Sequence, residues 1–266
     1  MGKPPASSVS QLAMELLGML RSAEPEGATL VDQVASRLES AIAMGILVEG
    51  NRLPPEPDLA AVLGASQMTL RSALASLRSR GLIATSRGRG GGSIVQEYPE
   101  ASESDITNRL LATGSEGLRD CGDFYTAVAS AAAELAADRA DDAEIARLNE
   151  IITVLPSTAS NAEFWRTVVQ LTVAVGVAAQ SGKLTSALLQ VQAELATLRP
   201  TQPGLLGDTQ VVVARLQQLV AAIHDRDGSA AAIRARIHCR GEIEALIEHR
   251  LRLILETGET NTEKHI

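Results

Sequence analysis

The chain has 266 residues, which is enough for two domains of roughly 100 to 150 residues each. Hydrophobic residues make up 45% of it but aromatic residues only 2%, so its core must come mostly from Ala and Leu, as in closely packed helices. A net charge of −8 argues at first against nucleic acid as a partner. No apolar run reaches the roughly 18 residues of a membrane span, and MGKPPASSVS lacks signal-peptide features. With Cys121 and Cys239 as free thiols, we expect a cytoplasmic protein without membrane contact.

The distribution of charge reverses the argument from net charge. Between Leu59 and Gln96 there is no Asp or Glu, whereas this window contains five arginines: Arg71, Arg78, Arg80, Arg87 and Arg89. Such asymmetry predicts a basic face on an acidic body and favours nucleic acid binding. The alternative is a solvated surface on which arginines cluster by chance.

The first third of the chain is predicted to form a winged helix-turn-helix. Within an N-terminal extension, residues 1–28, the stripe of apolar residues between Ser8 and Ala23 indicates a short amphipathic helix. Helical spacing and turn residues then predict four features, which are a helix from Leu30 to about Gly45, a helix over 56–63, a left-handed turn at Gly64, and a helix that Ser66 caps and Gly81 ends. LIATSR, GRGGG and SIVQ follow as two strands joined by a glycine-rich hairpin. We therefore predict this domain over residues 29–98.

The remainder is predicted to be helical. Residues 99–117 are rich in Ser, Glu, Thr and Gly and are interpreted as a linker. Helical patterns cover 118–258 and predict an all-α bundle of six or seven helices, followed by a flexible tail over 259–266. The fold class is therefore mainly α, with an N-terminal winged helix-turn-helix and a C-terminal helical bundle.

The third helix and the hairpin carry the residues that could read DNA. The third helix of a helix-turn-helix enters the major groove, and its exposed N-terminal residues here are Ser66, Gln67, Met68, Thr69 and Arg71. Arg71 can donate to guanine or phosphate and Gln67 can pair with adenine, while hydroxyl groups suit phosphate. The hairpin tip is predicted to lie along the minor groove or backbone through Arg87, Gly88, Arg89 and Gly90. A phosphate-cradling nucleotide loop is the weaker interpretation, because a strand and not a helix follows the glycines.

This region resembles the N-terminal domain of the GntR family of bacterial regulators. The similarity spans about 65 residues and rests on LPxExxLAxxLG, then SxxTLRxALxxLxxxGLI, then a GRG wing, all in order. The rest of the chain resembles the FadR-type effector domain of that family, through AELAADRA and AAQSGKLTSALL. The resemblance implies a homodimer on a short palindromic operator, with a small effector that alters DNA affinity.

Carried over from the family, DNA contacts fall on Ser66, Thr69, Arg71, Arg87 and Gly88. Two positions depart from the family pattern, because Pro57 and Gln67 stand where arginines are usual. Losing two arginines should change the operator sequence, and Gln67 favours adenine.

The family's effector domain often holds a metal with one carboxylate and three histidines, a set this chain does not keep. When the chain is aligned to the family on its SGK turn, these positions fall on Gln170, Ala174, Leu216 and His238. An alternative alignment puts Asn161 at the carboxylate position and Trp165 at the first histidine position, and these do not match the family's ligands either. One ligand cannot hold a metal, so no metal is expected.

These four positions and Tyr125, which stands where the family has an arginine that grips the effector, form the predicted effector pocket. Because these positions offer no partner for a small dicarboxylate or sugar acid, we expect an apolar effector, such as a fatty acid or acyl-CoA. The rival is an effectorless domain that only dimerises.

Two other classes of protein must be weighed against a transcription regulator. No nucleophile, base or metal motif of an enzyme occurs, so catalysis is not expected. An architectural or interaction protein that uses the winged helix for protein contacts is the other alternative, and the arginines disfavour it. We therefore expect a regulator of transcription, with repression as the interpretation favoured over activation.

Overall fold

A computed structural model describes residues 7–21, 27–86, 92–99, 102–155, 160–200 and 202–263 of the protein. The chain divides into two compact units, residues 1–99 and 100–266. None of the described helices is both long enough and apolar enough to cross a lipid bilayer.

The N-terminal unit is a winged helix-turn-helix, as predicted. Its elements in chain order are β1 (Ser7–Ser8), α1 (Gln11–Met19), α2 (Leu30–Ala43), β2 (Asn51–Arg52), α3 (Glu56–Leu63), α4 (Gln67–Ser79), β3 (Ile83–Ser86) and β4 (Gly92–Val95). The strands form one sheet in the order β1-β2-β4-β3, with β1 parallel to β2 and the other pairs antiparallel. The short strands β1 and β2 were not predicted, since two residues give no alternating pattern.

The turn between α3 and α4 forms for local reasons. Gly64 ends α3 with φ 64° and ψ 32°, a left-handed conformation that glycine adopts without the steric cost of a Cβ. Ser66 then caps α4 by accepting a hydrogen bond from the backbone N–H of Thr69. These two residues fix where one helix stops and the next begins.

The N-terminal helix α1 belongs to this unit. It buries Leu16 and Leu17, and Arg37 of α2 ties it down. The Arg37 guanidinium donates to the backbone oxygens of Leu63 at 2.8 Å, Leu17 at 3.1 Å and Gly18 at 3.4 Å. Burial, with a smaller effect from Arg21, lowers the pKa of Arg37. The last carbonyl groups of a helix have no hydrogen-bond donor within that helix. Arg37 supplies donors to such carbonyl groups at the ends of both α1 and α3.

Replacing Arg37 by Met should lower the free energy of unfolding by about 1 to 3 kcal/mol, because carbonyl oxygens in a partly buried place lose their donor. Urea denaturation followed by circular dichroism measures this change. Arg78→Met is the matched control, since Arg78 is exposed on α4. Equal stability of the two variants would show that Arg37 does not anchor α1.

The C-terminal unit is all helical. Its helices are α5 (Glu103–Arg139), α6 (Asp142–Val154), α7 (Asn161–Ala178), α8 (Gly182–Ala196), α9 (Thr209–His224) and α10 (Gly228–Glu263). Gly114 interrupts α5 with φ 71° and ψ 167°, which divides it into two segments. The core is built mainly from Ala, Leu and Val, and α5 alone buries Ala132, Ala133, Ala136 and Ala137. Small residues let the helices approach closely, as the composition predicted.

Two predicted boundaries are wrong. Within the predicted linker, 99–117, residues 103–117 belong to α5, because Ser102 caps the helix and Ile106 and Leu110 bury an apolar stripe. Within the predicted tail, residues 259–263 continue α10. The polar composition of 99–117 suggested a linker, but the helical spacing of its few apolar residues correctly indicates a helix.

Candidate DNA-binding surface and ligand cavities

Helix α4 has one buried face and one exposed face. Leu70, Ala73, Leu74 and Leu77 are at most 3% exposed. Each buried leucine contributes about 1.5 to 3 kcal/mol of hydrophobic stabilisation, so the rotation of the helix about its axis is fixed. The opposite side of its first turns exposes Gln67, Met68 and Arg71, and Met68 is 80% exposed. These are side chains that the sequence predicted to meet DNA, and the fold leaves them accessible.

Ser66 and Thr69 form a capping pair at the start of α4. The Ser66 hydroxyl oxygen accepts from the Thr69 backbone N–H at 3.1 Å and lies 2.9 Å from the Thr69 hydroxyl. Both side chains were predicted to contact phosphate, and their hydroxyl groups are already engaged with each other. Phosphate contact by these residues stays a prediction, in which they would offer their remaining hydrogen-bonding capacity.

Arg71 is held by a carboxylate that sequence reasoning did not single out. Its Nε donates to Oε2 of Glu56 in the first turn of α3, at 2.6 Å. Both side chains are largely exposed, at 66% and 40%, so the pair adds little stability. Its effect is on orientation, because fixing Nε leaves the two terminal nitrogens of the guanidinium for other acceptors. The sequence feature that could have indicated this pair is the acidic Glu56 in the LPPEPD segment.

We expect Glu56→Ala to reduce discrimination between specific and unrelated DNA by about tenfold, since an unanchored arginine loses its fixed geometry. The measurement is the ratio of dissociation constants for the preferred operator and a scrambled duplex. Glu56→Gln is the matched control, because it removes the charge but keeps an oxygen acceptor for Arg71. An unchanged ratio in Glu56→Ala would rule out a positioning role for Glu56.

The predicted tip of the wing, with Arg87, Gly88, Arg89 and Gly90, lies outside the described residues. The strands on either side are paired as predicted, and Ser86 faces Gly92 in register. Arg80, another arginine of the acid-free window, pairs with Glu39 of α2 and is therefore committed to the fold. Contact of the wing tip with DNA stays a prediction.

The predicted effector-pocket residues fall into two groups. Tyr125, Leu216 and His238 line one small cavity of about 20 Å³, room for little more than a water molecule, and its walls are otherwise mostly apolar. Gln170 and Ala174 do not line it. The residues at the family's metal positions do not fit a metal, because Ala174 and Leu216 are apolar and buried. No three His, Cys, Asp or Glu residues cluster at metal-binding distances in the parts of the chain that the structure describes.

A buried polar network lies beside these positions and was missed by sequence reasoning. Arg199 follows α8, and its guanidinium donates to Glu242 Oε1 at 2.8 Å and to Gln192 Oε1 at 2.8 Å. Its Cζ lies 5.1 Å from the ring centre of Trp165. Glu242 and Arg199 are only 1% and 4% exposed in their side chains. A buried pair of this kind requires mutual hydrogen bonds, since desolvation of each charge alone costs several kcal/mol.

His238 and the two cysteines are neutral in this core. Burial lowers the pKa of His238 to about 4, although Glu242 acts in the opposite direction. Burial also raises the pKa of the Cys121 thiol to about 12 and raises that of Cys239 further. Both cysteines are free, buried thiols, so they lack the thiolate character that reactivity requires.

Because the pKa of His238 is depressed by folding, its contribution to stability is complete above pH 6.5 and falls as the pH drops toward 4. From pH 7.5 to pH 5, the wild-type protein should lose about 2 kcal/mol more unfolding free energy than His238→Leu. Urea denaturation of both proteins at the two pH values measures the difference. Parallel loss in the two proteins would show that His238 titrates normally.

Fold and surface together define a class of protein, a DNA-binding transcription regulator with a separate helical effector domain. The family model for bacterial regulatory proteins of the gntR family matches residues 30–92, and the FCD domain matches 122–241. The chain is 33% identical over 229 residues to the putative HTH-type transcriptional regulator RmpR of Mycobacterium gastri, covering 83% of this chain and 81% of that protein. Over 58 residues it is 45% identical to the regulator SmoD of Agrobacterium fabrum, covering 22% of this chain and 25% of SmoD.

Among solved structures, E. coli McbR/YncC matches with a TM-score of 0.47 and 18% identity, over 86% of this chain and 99% of that one. The extended similarity to RmpR and the two domain matches show that the chain belongs to the GntR family of bacterial transcription regulators. The resemblance drawn from its motifs is therefore confirmed. The relatives are named as regulators of transcription.

Proposed function

We propose that the protein is a cytoplasmic repressor that binds a palindromic operator as a homodimer and changes its DNA affinity when a small, partly apolar effector binds. The observation that carries this proposal is the exposed first part of α4, where Gln67 and Arg71 project from a helix whose other face is locked in the core. This is the presentation that major-groove reading requires.

The homodimer is supported by exposed apolar side chains on the effector domain. Phe124 of α5 and Ile233 and Ile237 of α10 are 49%, 53% and 42% exposed. Ile233 and Ile237 are four residues apart and share one face of α10. Covering such groups with a second copy removes apolar surface from water. Two-fold symmetry of the protein would then be mirrored in a palindromic operator.

The effector is supported by the narrow cavity that Tyr125, Leu216 and His238 line. Its remaining walls include Leu171, Val175 and Leu219, so an apolar group is the chemistry that it accommodates. A fatty acid or acyl-CoA offers that chemistry, but the cavity holds little more than a water molecule, so its walls would have to move apart to admit an acyl chain. Because residues from several different helices form these walls, a ligand in the cavity would alter how those helices pack against each other.

Selection of binding sites from random duplex DNA tests the proposal. The full-length chain should enrich an inverted repeat, and Arg71→Ala should reduce affinity for that repeat by about tenfold or more. Gln67→Arg should change the preferred base at one position in each half-site, from adenine toward guanine.

Arg78→Ala is the matched control, because Arg78 lies on the same helix near its other end. Failure to enrich any sequence would overturn the regulator assignment, and enrichment of a single asymmetric site would overturn the symmetric dimer. The same preferred base in the wild-type protein and in Gln67→Arg would remove Gln67 from the reading residues.

A further inference from the structure

Met68 is an apolar side chain that lies outside the core, at the exposed start of α4. It is the second residue of the helix and is 80% exposed, the highest value among the large apolar side chains of the residues that the structure describes. The other described methionines differ, because Met44 is buried and Met14 and Met19 are half-buried. Single apolar residues are common on protein surfaces, so the position of Met68 is what gives it meaning.

The packing of α4 fixes the direction in which Met68 projects. Leu70 and Leu77 are fully buried, and they lie two and nine residues after Met68. At 3.6 residues per turn, both spacings place the leucines on the side of the helix opposite Met68. Arg71 lies three residues after Met68 and therefore shares its face. Met68 thus projects beside an arginine that Glu56 holds in place.

The same part of α4 is the part that meets base edges in a helix-turn-helix. The N-terminal residues of the second helix of that motif contact bases in the major groove. Gln67 and Met68 both lie in the first turn of α4, and both are exposed. The local charge agrees with this role, since the nearby Glu56 carboxylate is engaged by Arg71. Met68 therefore lies where a side chain would face the bases.

The major groove offers one good match for an apolar side chain. Guanine, cytosine and adenine present hydrogen-bond donors and acceptors there, whereas thymine also presents its C5 methyl group. Methionine has no donor and its sulfur is a weak acceptor, so placing it over polar groups would desolvate them without replacing their hydrogen bonds. Placing it against a methyl group removes the apolar surface of both from water. The flexible thioether chain adapts to such a contact.

We propose that Met68 recognises the C5 methyl group of a thymine in each half-site of the operator. This rests on the proposed function, in that α4 is taken to read the operator in the major groove. Gln67 is expected to pair with adenine, and the thymine opposite that adenine presents its methyl group in the same groove. The two neighbouring side chains then select A·T pairs by different means, Gln67 by hydrogen bonds and Met68 by apolar contact.

Replacement of thymine by deoxyuridine tests the proposal, because deoxyuridine lacks the C5 methyl group and still pairs with adenine. The thymines of the operator selected from random duplex DNA are replaced one position at a time, in both half-sites together. Fluorescence anisotropy then measures the dissociation constant of the full-length protein. At one position the affinity should fall by about tenfold, since the loss of one buried methyl group from each half-site lowers it by about three- to fourfold.

Variants of Met68 show whether this side chain is the one that senses the methyl group. Met68→Ala should bind the thymine and deoxyuridine duplexes equally, because the contact is already lost. Met68→Leu keeps an apolar side chain and should retain most of the preference for thymine, whereas Met68→Gln should lose it. Leu30→Ala, which shortens an apolar side chain that is 51% exposed on α2, is the matched control and should keep the tenfold preference.

Methylated cytosine gives a second measurement that leaves the protein unchanged. At the sensitive position, a C·G pair is compared with a pair of 5-methylcytosine and guanine, so that the two duplexes differ by the methyl group alone. The wild-type protein should bind the methylated duplex about tenfold more tightly, and Met68→Ala should bind both equally.

Equal affinity of the wild-type protein for thymine and deoxyuridine at every position would overturn the proposal. A thymine preference that persists undiminished in Met68→Ala, or a selected half-site without thymine, would do the same. If Arg71→Ala still loses affinity for the selected inverted repeat, these results contradict the role of Met68 alone. Failure to enrich any sequence contradicts the proposed function, and this inference with it.

Discussion

Burial of one face of α4 is the constraint on which the rest of the N-terminal domain depends. The helix packs through Leu70, Leu74 and Leu77, and turning it about its axis would expose side chains that each contribute about 1.5 to 3 kcal/mol. The side that carries Gln67 and Arg71 is therefore presented by the core and not by a flexible loop. Gly64 and Ser66 set the start of the helix, and Glu56 reaches over from α3 to orient Arg71. The exposure of the residues proposed to read DNA therefore depends on how the helix packs.

The effector domain uses a different means of ordering its interior. The family's metal positions hold Gln170, Ala174, Leu216 and His238, and these do not fit a metal. Close by, Arg199 links α8 and α10 through Gln192 and Glu242, inside a bundle otherwise packed with Ala, Leu and Val. A fully buried ion pair with several hydrogen bonds restricts side-chain geometry, because removing either partner leaves an uncompensated charge. It holds the Glu242 carboxylate one helical turn from His238, with Oε2 3.9 Å from the His238 Nε2.

Much of the fold was predictable from sequence because its signals are local. Apolar spacing, Gly64, Ser66 and the glycine hairpin place the helices and strands of the winged helix, and the same reasoning finds the breaks between the later helices. Composition alone was a poor guide. The polar residues of 99–117 indicated a linker, yet Ser102 caps a helix there and Ile106 and Leu110 bury one of its faces.

The pairs that shape the sites were not predictable in this way. Arg71 and Glu56 are 15 residues apart, and Arg199 and Glu242 are 43 apart, so only the tertiary structure brings them together. The sequence argument considered only five aligned positions, none of which is an arginine, so it did not find the buried guanidinium of Arg199. Recognition of the family supplied what local signals could not, namely the pairing of a DNA-binding and an effector domain.

The central claim is that α4 presents Arg71 to the charged backbone or bases of DNA, and the salt dependence of operator affinity tests it most directly. For the full-length protein, the logarithm of the association constant should fall linearly with the logarithm of salt concentration, and Arg71→Gln should reduce the slope by about one. An association constant that does not change with salt, or an identical slope in the two proteins together with unchanged affinity, would contradict it.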